Sequence, residues 1–282
     1  MVVLLLLDGW GVAPANDANA IAAAKTPNFL NFIKEYPVAL LNPGTSGLNA
    51  RYLTLGAGRE VGDESSELKI NLSSIISGAG LSQVKIAETE RFAALTHFFN
   101  THQENKLPFE EWKIISSTTK SKKPKYLLTL KKTVKEIIDT ISSEHGLRFL
   151  AAALPCLDLA AAGGDFLETK KAVEIVDKAL KEIFLAVTQK EGVLIITAAG
   201  GNAEKTKDIA TDLPDTGLTD NPVPLLIIGE EFKGKTIGLA DPLNSDLSSL
   251  TPAGTLADVA PTILKIMKLD KPVEMTGKSL VE

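Results

Sequence analysis

Six apolar residues in succession, Val2-Val3-Leu4-Leu5-Leu6-Leu7, stop abruptly at Asp8-Gly9-Trp10-Gly11. The run is far shorter than the ~20 residues needed to span a bilayer, and no basic residues precede it as in a secretion signal. A strand buried on both faces, as in a parallel sheet, is what the pattern predicts. Further runs of strand length occupy residues 95–99, 149–154, 193–197 and 224–228. Between them, residues 26–36 and 168–188 repeat apolar side chains at three-to-four spacing, and 133–143 and 256–267 read as further helices. In 168–188 the stripe is Ala172, Ile175, Val176, Ala179, Leu180, Ile183 and Phe184, a core-facing helix surface. This alternation predicts an α/β fold, a mixed or mainly parallel sheet between two helix layers.

The 282 residues contain no Pro/Gly/Ser-rich linker, so one domain over 1–282 is expected. A net charge of −5 without a basic stripe argues against nucleic-acid binding. The lone Cys156 excludes internal disulfides and fits a reducing compartment; together with the short N-terminal run it leads us to expect a cytoplasmic, non-membrane protein.

In open α/β sheets, chemistry gathers outside the carboxyl ends of the strands. Those ends are Asp8-Gly9-Trp10-Gly11, residues 154–164, residues 197–202 and the 208–221 loop. Several of them match a known family. Leu7-Asp8-Gly9-Trp10-Gly11, Asn19-Ala20-Ile21 and Lys25-Thr26-Pro27-Asn28 are followed by Gly56-Ala57-Gly58-Arg59, Lys85-Ile86-Ala87-Glu88-Thr89-Glu90 and Thr96-His97-Phe98-Phe99-Asn100. Then come Ile196-Thr197-Ala198, Gly201-Asn202-Ala203-Glu204, Asn221-Pro222-Val223-Pro224, Ala257-Asp258-Val259-Ala260-Pro261-Thr262 and a closing Glu274-Met275-Thr276-Gly277-Lys278-Ser279-Leu280. In order and spacing this series resembles cofactor-independent phosphoglycerate mutase. The resemblance implies an alkaline-phosphatase-like three-layer α/β/α sandwich. It also implies a second, phosphotransferase domain inserted near 70–85, where this chain has only a short connector. That domain carries the arginines that grip phosphoglycerate, so they have no counterpart here.

The resemblance further implies two divalent ions about 4 Å apart, clamping attacking and leaving oxygens, and a serine nucleophile. Asp8 matches the ligand after the first strand. No Asn-Ser-Glu-Val-Gly-His motif precedes Gly56: Thr45-Ser46-Gly47-Leu48 runs on to Arg51-Tyr52-Leu53-Thr54. Pairing the motif with Gly58-Arg59-Glu60-Val61-Gly62-Asp63 instead puts Arg59 at the serine, so either alignment removes the nucleophile. In the next cluster Asp158 keeps its carboxylate, while Ala162 stands at a histidine position. Ala199 and Gly200 replace an Asp and a His, and Leu218 replaces the last histidine. Without an ion, Asp8 and Asp158 are expected to be solvent-exposed, to gain new hydrogen-bond donors, or to have raised pKa values.

Other polar residues have an ordinary and a functional reading. Asp8 and Asp158 read as leftover carboxylates or as working ligands, and Cys156 as a buried inert thiol or a nucleophile. His97 reads as a packed strand histidine, and His102 and His145 as surface residues. Asp208, Asp212, Asp215 and Asp220 form a solvated acidic loop or a rebuilt cation site of oxygen ligands. Lys120, Lys122, Lys123 and Lys125 form a solvated basic face or an anionic partner's contact. Gly56-Ala57-Gly58 lacks the strand-then-helix setting of a phosphate loop. The leading expectation is a non-catalytic homologue, with no cofactor, that binds as a regulator or assembly subunit. The alternatives are a reduced metal-dependent phosphatase or mutase-like hydrolase using a divalent Mn, Mg or Zn ion, and a sensor of a small phosphorylated metabolite. Residues 72–81 with Ala160, Ala161, Ala162, Ala199 and Leu218 suggest an apolar face. Either the chain's own loops or a partner, including a second copy, should cover it.

Overall fold

In the computed structural model, which describes residues 1–62, 68–117, 124–208, 210–237 and 245–282, β1 (Val2–Leu6) lies at the middle of the sheet. The other strands are β2 (Val38–Asn42), β3 (Ser82–Glu88), β4 (Glu110–Ile115), β5 (Leu147–Ala153), β6 (Val193–Thr197), β7 (Val223–Ile228) and β8 (Gly254–Thr255). Their order is β4-β3-β5-β1-β6-β7-β2-β8. Every neighbouring pair is parallel except the two involving β7, which runs against both β6 and β2. Because β1, β3, β5 and β6 run the same way, their carboxyl ends lie along one edge of the sheet. β7 starts from that edge, so the loop between β6 and β7 lies over it as well.

The helices are α1 (Ala20–Ala23), α2 (Pro27–Glu35), α3 (Leu48–Ala57), α4 (Leu72–Gly78), α5 (Lys125–Ser143), α6 (Cys156–Ala161), α7 (Phe166–Gln189) and α8 (Val259–Met267). α1, α2, α5 and α6 pack against α7, whereas α3 packs against α4 and α8. The second helix of the expected pattern is α7. Asp165 caps it by accepting from Glu168 N at 2.9 Å, which satisfies one of the free amides of its first turn. Ala172, Val176, Ala179, Leu180 and Ile183 are buried as expected, while Ile175 and Phe184 lie at the edge of the stripe, partly buried.

Residues 95–99 are not a strand. Ala94–Phe98 form a π-helical turn, closed by Phe99 N donating to Ala94 O at 2.9 Å. Leu95 and Phe99 are the fully buried pair, and their spacing of four is helical rather than alternating. His97 is therefore no strand residue. It sits half-exposed beside His102, with Nε2 and Nδ1 3.3 Å apart. Helix α5 begins at Lys125, eight residues before the expected start at 133.

Strand β3 escaped the pattern because Gln83, Lys85 and Glu88 interrupt its apolar residues, yet all three are buried. Gln83 Nε2 donates to Ser73 O at 2.8 Å, and Lys85 pairs with Glu110 Oε1 at 2.8 Å and with Asn100. A buried charge survives in a sheet when it finds such partners. Residues 72–81 are also more ordered than a bare connector. Asn71 and Ser74 form a reciprocal capping box that starts α4, which places Leu72 and Ile76 fully inside the core.

Candidate functional site

Asp8 and Asp158 meet at the carboxyl edge of the sheet through a glycine. Gly9 has φ +93°, and a Cβ there would stand 2.5 Å from Asp158 N. That close approach lets Asp158 N donate to Asp8 O at 3.1 Å and seats the first turn of α6 against the end of β1.

The donors around these carboxylates come from three further elements. Tyr52, on α3, donates its hydroxyl to Asp8 Oδ2 at 2.7 Å, and Ala199 N points at Asp8 Oδ1 from 3.4 Å. Arg91 ends the short 3-10 turn that follows β3. Its Nε donates to Asp8 Oδ2 at 2.7 Å and its Nη2 to Asp158 Oδ2. Asn202, in the loop after β6, donates Nδ2 to Asp158 Oδ1 at 2.8 Å. Of the three expected outcomes for these two aspartates, new donors therefore hold for both. Asp8 is buried, whereas the Asp158 side chain keeps 21% exposure.

The charges are mutually dependent. Burial pushes the Asp8 carboxyl above its usual range, while the Arg91 guanidinium and the Tyr52 hydroxyl pull it back. Burial also works against the charge on Arg91, but Asp8, Tyr52 and Asp158 together outweigh it and hold the guanidinium more firmly protonated than usual. Burial and the neighbouring Asp8 charge raise Tyr52 well above an ordinary phenol, so it remains a donor. The cluster is an ion-paired network with its hydrogen-bond directions set.

The positions where the resemblance implies lost ligands differ in their surroundings. Ala162 is exposed just past α6, and Ala199 is fully buried. A Cβ at Gly200 would stand 2.5 Å from Leu218 Cδ1 and 2.6 Å from Arg51 Nη1. A second guanidinium and a leucine thus fill the space beside Gly200. Arg51 is buried and donates to Ser46 O at 2.8 Å, Gly44 O at 2.9 Å, Thr219 O at 2.8 Å and Asp220 Oδ1 at 2.6 Å.

The acidic loop does not converge. Asp208 accepts from Ala210 N and Thr211 N at 2.9 Å each, Asp212 pairs with Lys207 at 2.5 Å, Asp215 pairs with Lys205 at 2.8 Å, and Asp220 holds Arg51. Among the described residues no group of three or more His, Cys, Asp or Glu side chains could hold a metal ion. The reading of Asp208, Asp212, Asp215 and Asp220 as a rebuilt cation site is corrected accordingly: each carboxylate is taken by its own cation or turn.

Cys156 is buried, and burial together with nearby Glu88 pushes its thiol far up, which suits an inert side chain. Lys120, Lys122 and Lys123 lie outside the described residues, and Lys125 opens α5. Sequence reasoning missed Arg91, Tyr52 and Arg51. Arg91 lies one residue beyond the matched run ending at Glu90, and Arg51 and Tyr52 lie in the stretch that runs on where the serine motif was expected. Glu204, matched but given no role, accepts from Gly11 N at 3.1 Å, Asn221 Nδ2 at 3.0 Å and the Thr219 hydroxyl. It ties the loop after β6 to the end of β1.

A family model described as the metalloenzyme superfamily matches residues 1–271. The chain belongs to that superfamily. It is 38% identical over 218 residues to the 2,3-bisphosphoglycerate-independent phosphoglycerate mutase of Desulforudis audaxviator (strain MP104C), covering 76% of this chain and 39% of that protein. It is also 38% identical over 215 residues to the enzyme of the same name from Synechococcus sp. (strain JA-2-3B'a(2-13)), covering 75% and 38%. The chain thus spans about two fifths of the length of these relatives. Among solved structures, Leishmania mexicana phosphoglycerate mutase at low cobalt concentration superposes with a TM-score of 0.63 at 23% identity, over 75% of this chain and 39% of that one. The alkaline phosphatase from the Antarctic bacterium TAB5 superposes with a TM-score of 0.65 at 12% identity, over 96% and 98%. The fold of this superfamily member is the alkaline-phosphatase-like three-layer α/β/α sandwich.

The superfamily's name implies a metal ion, and the donors present do not suit one. Arg91 puts a fixed positive charge between Asp8 and Asp158, and Ala162, Ala199, Gly200 and Leu218 offer no ligating side chain.

Proposed function

We propose that this superfamily member is non-catalytic and acts by binding, as a regulator or as a subunit of an assembly. The observation that carries the reading is the Arg91 guanidinium bound to both surviving carboxylates. Phosphoryl transfer on two ions requires a cation to polarise the phosphoryl oxygen and a nucleophile to attack it. A guanidinium fully engaged with Asp8 and Asp158 is not free to do the first. Tyr52, the hydroxyl nearest Asp8, is a donor held far from ionisation and does not do the second.

The matched relatives are phosphoglycerate mutases roughly twice as long, and their activity is not carried over to this chain. Residues 70–85, where the resemblance implies an inserted domain, hold only α4 and the start of β3. That supports a chain without the relatives' grip on substrate. We also propose that the protein resides in the cytoplasm. Among the described residues no helix is long and apolar enough to cross a membrane.

The test is direct. Protein dialysed against manganese, then freed of loose metal, should retain none by elemental analysis. It should show no phosphoglycerate interconversion or phosphate-ester hydrolysis above buffer. Manganese-dependent turnover abolished by Asp158→Ala would overturn the reading.

A further inference from the structure

We propose that β4 is a self-complementary edge, on which a second copy of this chain pairs antiparallel about a two-fold axis at Trp112 and continues the sheet. The inference goes beyond the non-catalytic reading and does not depend on it.

Strand β4 closes one side of the sheet, whereas the other edge is the two-residue β8. Its register with β3 fixes which of its backbone groups are used. Gln83 N donates to Phe109 O at 2.9 Å, and Gln83 stands opposite Glu110. In a parallel ladder the residue opposite such a donor turns its own N–H and C=O the other way. Odd-numbered β4 residues therefore bond to β3, while Glu110, Trp112 and Ile114 present their backbone outward. Glu110 N is taken by Leu107 O at 3.1 Å, and among the described residues nothing meets the outward groups of Trp112 and Ile114. The edge also carries apolar side chains into water: Phe109 is 62% exposed and Ile114 50%. An unpaired strand without a proline or a bulge is a template for another strand.

Charge decides which strand fits, and in which register. Antiparallel self-pairing through the outward groups can centre on Glu111, Trp112 or Lys113. The first sets Glu111 against itself and the third sets Lys113 against itself, and like charges directly opposite each other destabilise a sheet. Centring on Trp112 instead sets Glu111 opposite Lys113 of the second copy, twice by symmetry. These are non-hydrogen-bonded positions, where opposed side chains lie closest. Glu111 is exposed and makes no ion pair among the described residues, while Glu144 at 3.0 Å and Glu136 at 3.4 Å hold Lys113 in place. The same register lets Trp112 exchange both backbone bonds with Trp112 of the second copy, and lets Ile114 N donate to Glu110 O across the axis. Trp112 is steadied for this by its edge-on contact with Phe92, ring centroids 6.0 Å apart. One surface meeting itself across a two-fold axis gives a closed dimer. An edge of 6 residues buries less than a standard interface, so the dimer is a weak one.

The experiment is sedimentation equilibrium of the full chain from about 1 to about 300 μM, for wild type, Ile114→Pro, Glu111→Lys and Lys113→Glu. Wild type should pass from monomer to dimer across that range. Ile114→Pro removes only an outward N–H, a place where an edge strand accepts proline, and should weaken dimerisation roughly tenfold or more while circular dichroism shows it folded. Glu111→Lys and Lys113→Glu should each stay monomeric. An equimolar mixture of the two should dimerise, because opposite charges then face each other at both positions. Ile114→Pro and Glu111→Lys alter exposed side chains and carry the test if Lys113→Glu does not fold. A wild type that stays monomeric throughout overturns the inference and leaves the edge to a different chain or to water. A dimer that persists in both Ile114→Pro and Glu111→Lys overturns it too, as does a mixture of folded charge variants that stays monomeric. None of these results bears on the non-catalytic reading, which metal-dependent turnover would overturn instead.

Discussion

Arg91 Nε lies 2.7 Å from Asp8 Oδ2, and Nη2 of the same guanidinium reaches Asp158 Oδ2. One side chain from the turn after β3 thus joins the end of β1 to the first turn of α6 on the edge where this fold gathers chemistry. An ion bound there would exchange with solvent. A guanidinium cannot, and it keeps its charge at every pH at which the protein folds.

Truncating the network should be costly in a graded way. Asp8→Asn weakens a buried ion pair and should destabilise the fold by about 3 kcal/mol, while Tyr52→Phe removes one hydrogen bond and should cost about 1–2 kcal/mol. Urea unfolding of the two variants checks the order. Equal, negligible losses would mean that the network contributes little to stability.

Gly9→Ala should destabilise strongly, by roughly 3 kcal/mol, because φ +93° is unfavourable for alanine and the new Cβ would strike the backbone of Asp158. Circular dichroism melting measures it. A melting point within a degree or so of wild type would contradict the close approach.

The buried Lys85–Glu110 pair makes a separate prediction. Both side chains are fully buried, and Asn100 completes the cluster. Lys85→Met or Glu110→Leu alone strands a charge and should cost about 3–5 kcal/mol, while the two together should cost less than the two single losses summed. A double-mutant cycle with no coupling would refute the pairing.

Glu88 should make stability depend on pH. It is fully buried beside Thr133 and Cys156. Burial, together with Glu90, raises its carboxyl to about 8 against the opposing pull of Thr133 and Arg91. The folded protein therefore binds a proton that the unfolded chain releases above about pH 4.5. The resulting stabilisation is complete below that pH and is lost as pH rises towards about 8, by a few kcal/mol in all. Glu88→Gln should flatten this part of the profile in urea titrations at successive pH values. An unchanged slope in the variant would assign the dependence to other groups.

Restoring one lost imidazole should not restore a ligand. Gly200→His meets Leu218 and Arg51 at once, so that variant should lose stability and gain no manganese affinity. Melting temperature and metal titration read the two effects together, and uptake of an ion by the single variant would show that the pocket yields.

Much of the architecture was readable along the chain. The continuous apolar runs that became β1, β5, β6 and β7 and the stripe of α7 are local patterns, because burial on both faces or on one stripe is written in consecutive residues. That Ala162, Ala199, Gly200 and Leu218 carry no ligating group was readable too, since a side chain that lacks a donor lacks it in any conformation. The π-helical turn at Ala94–Phe98 and the polar strand β3 were not readable, because their identity depends on partners distant in sequence, such as Glu110 for Lys85. The same limit applied at the site. Sequence by itself placed Asp8 and Asp158 at the carboxyl ends of the strands, with Ala162, Ala199, Gly200 and Leu218, which carry no donor, at the positions where the resemblance implies ligands. Only the tertiary structure decided that Arg91, 83 residues from Asp8 and 67 from Asp158, compensates them both. A long cationic side chain can pair with any carboxylate that the sheet brings within reach, and strand order, rather than spacing along the chain, sets which ones those are.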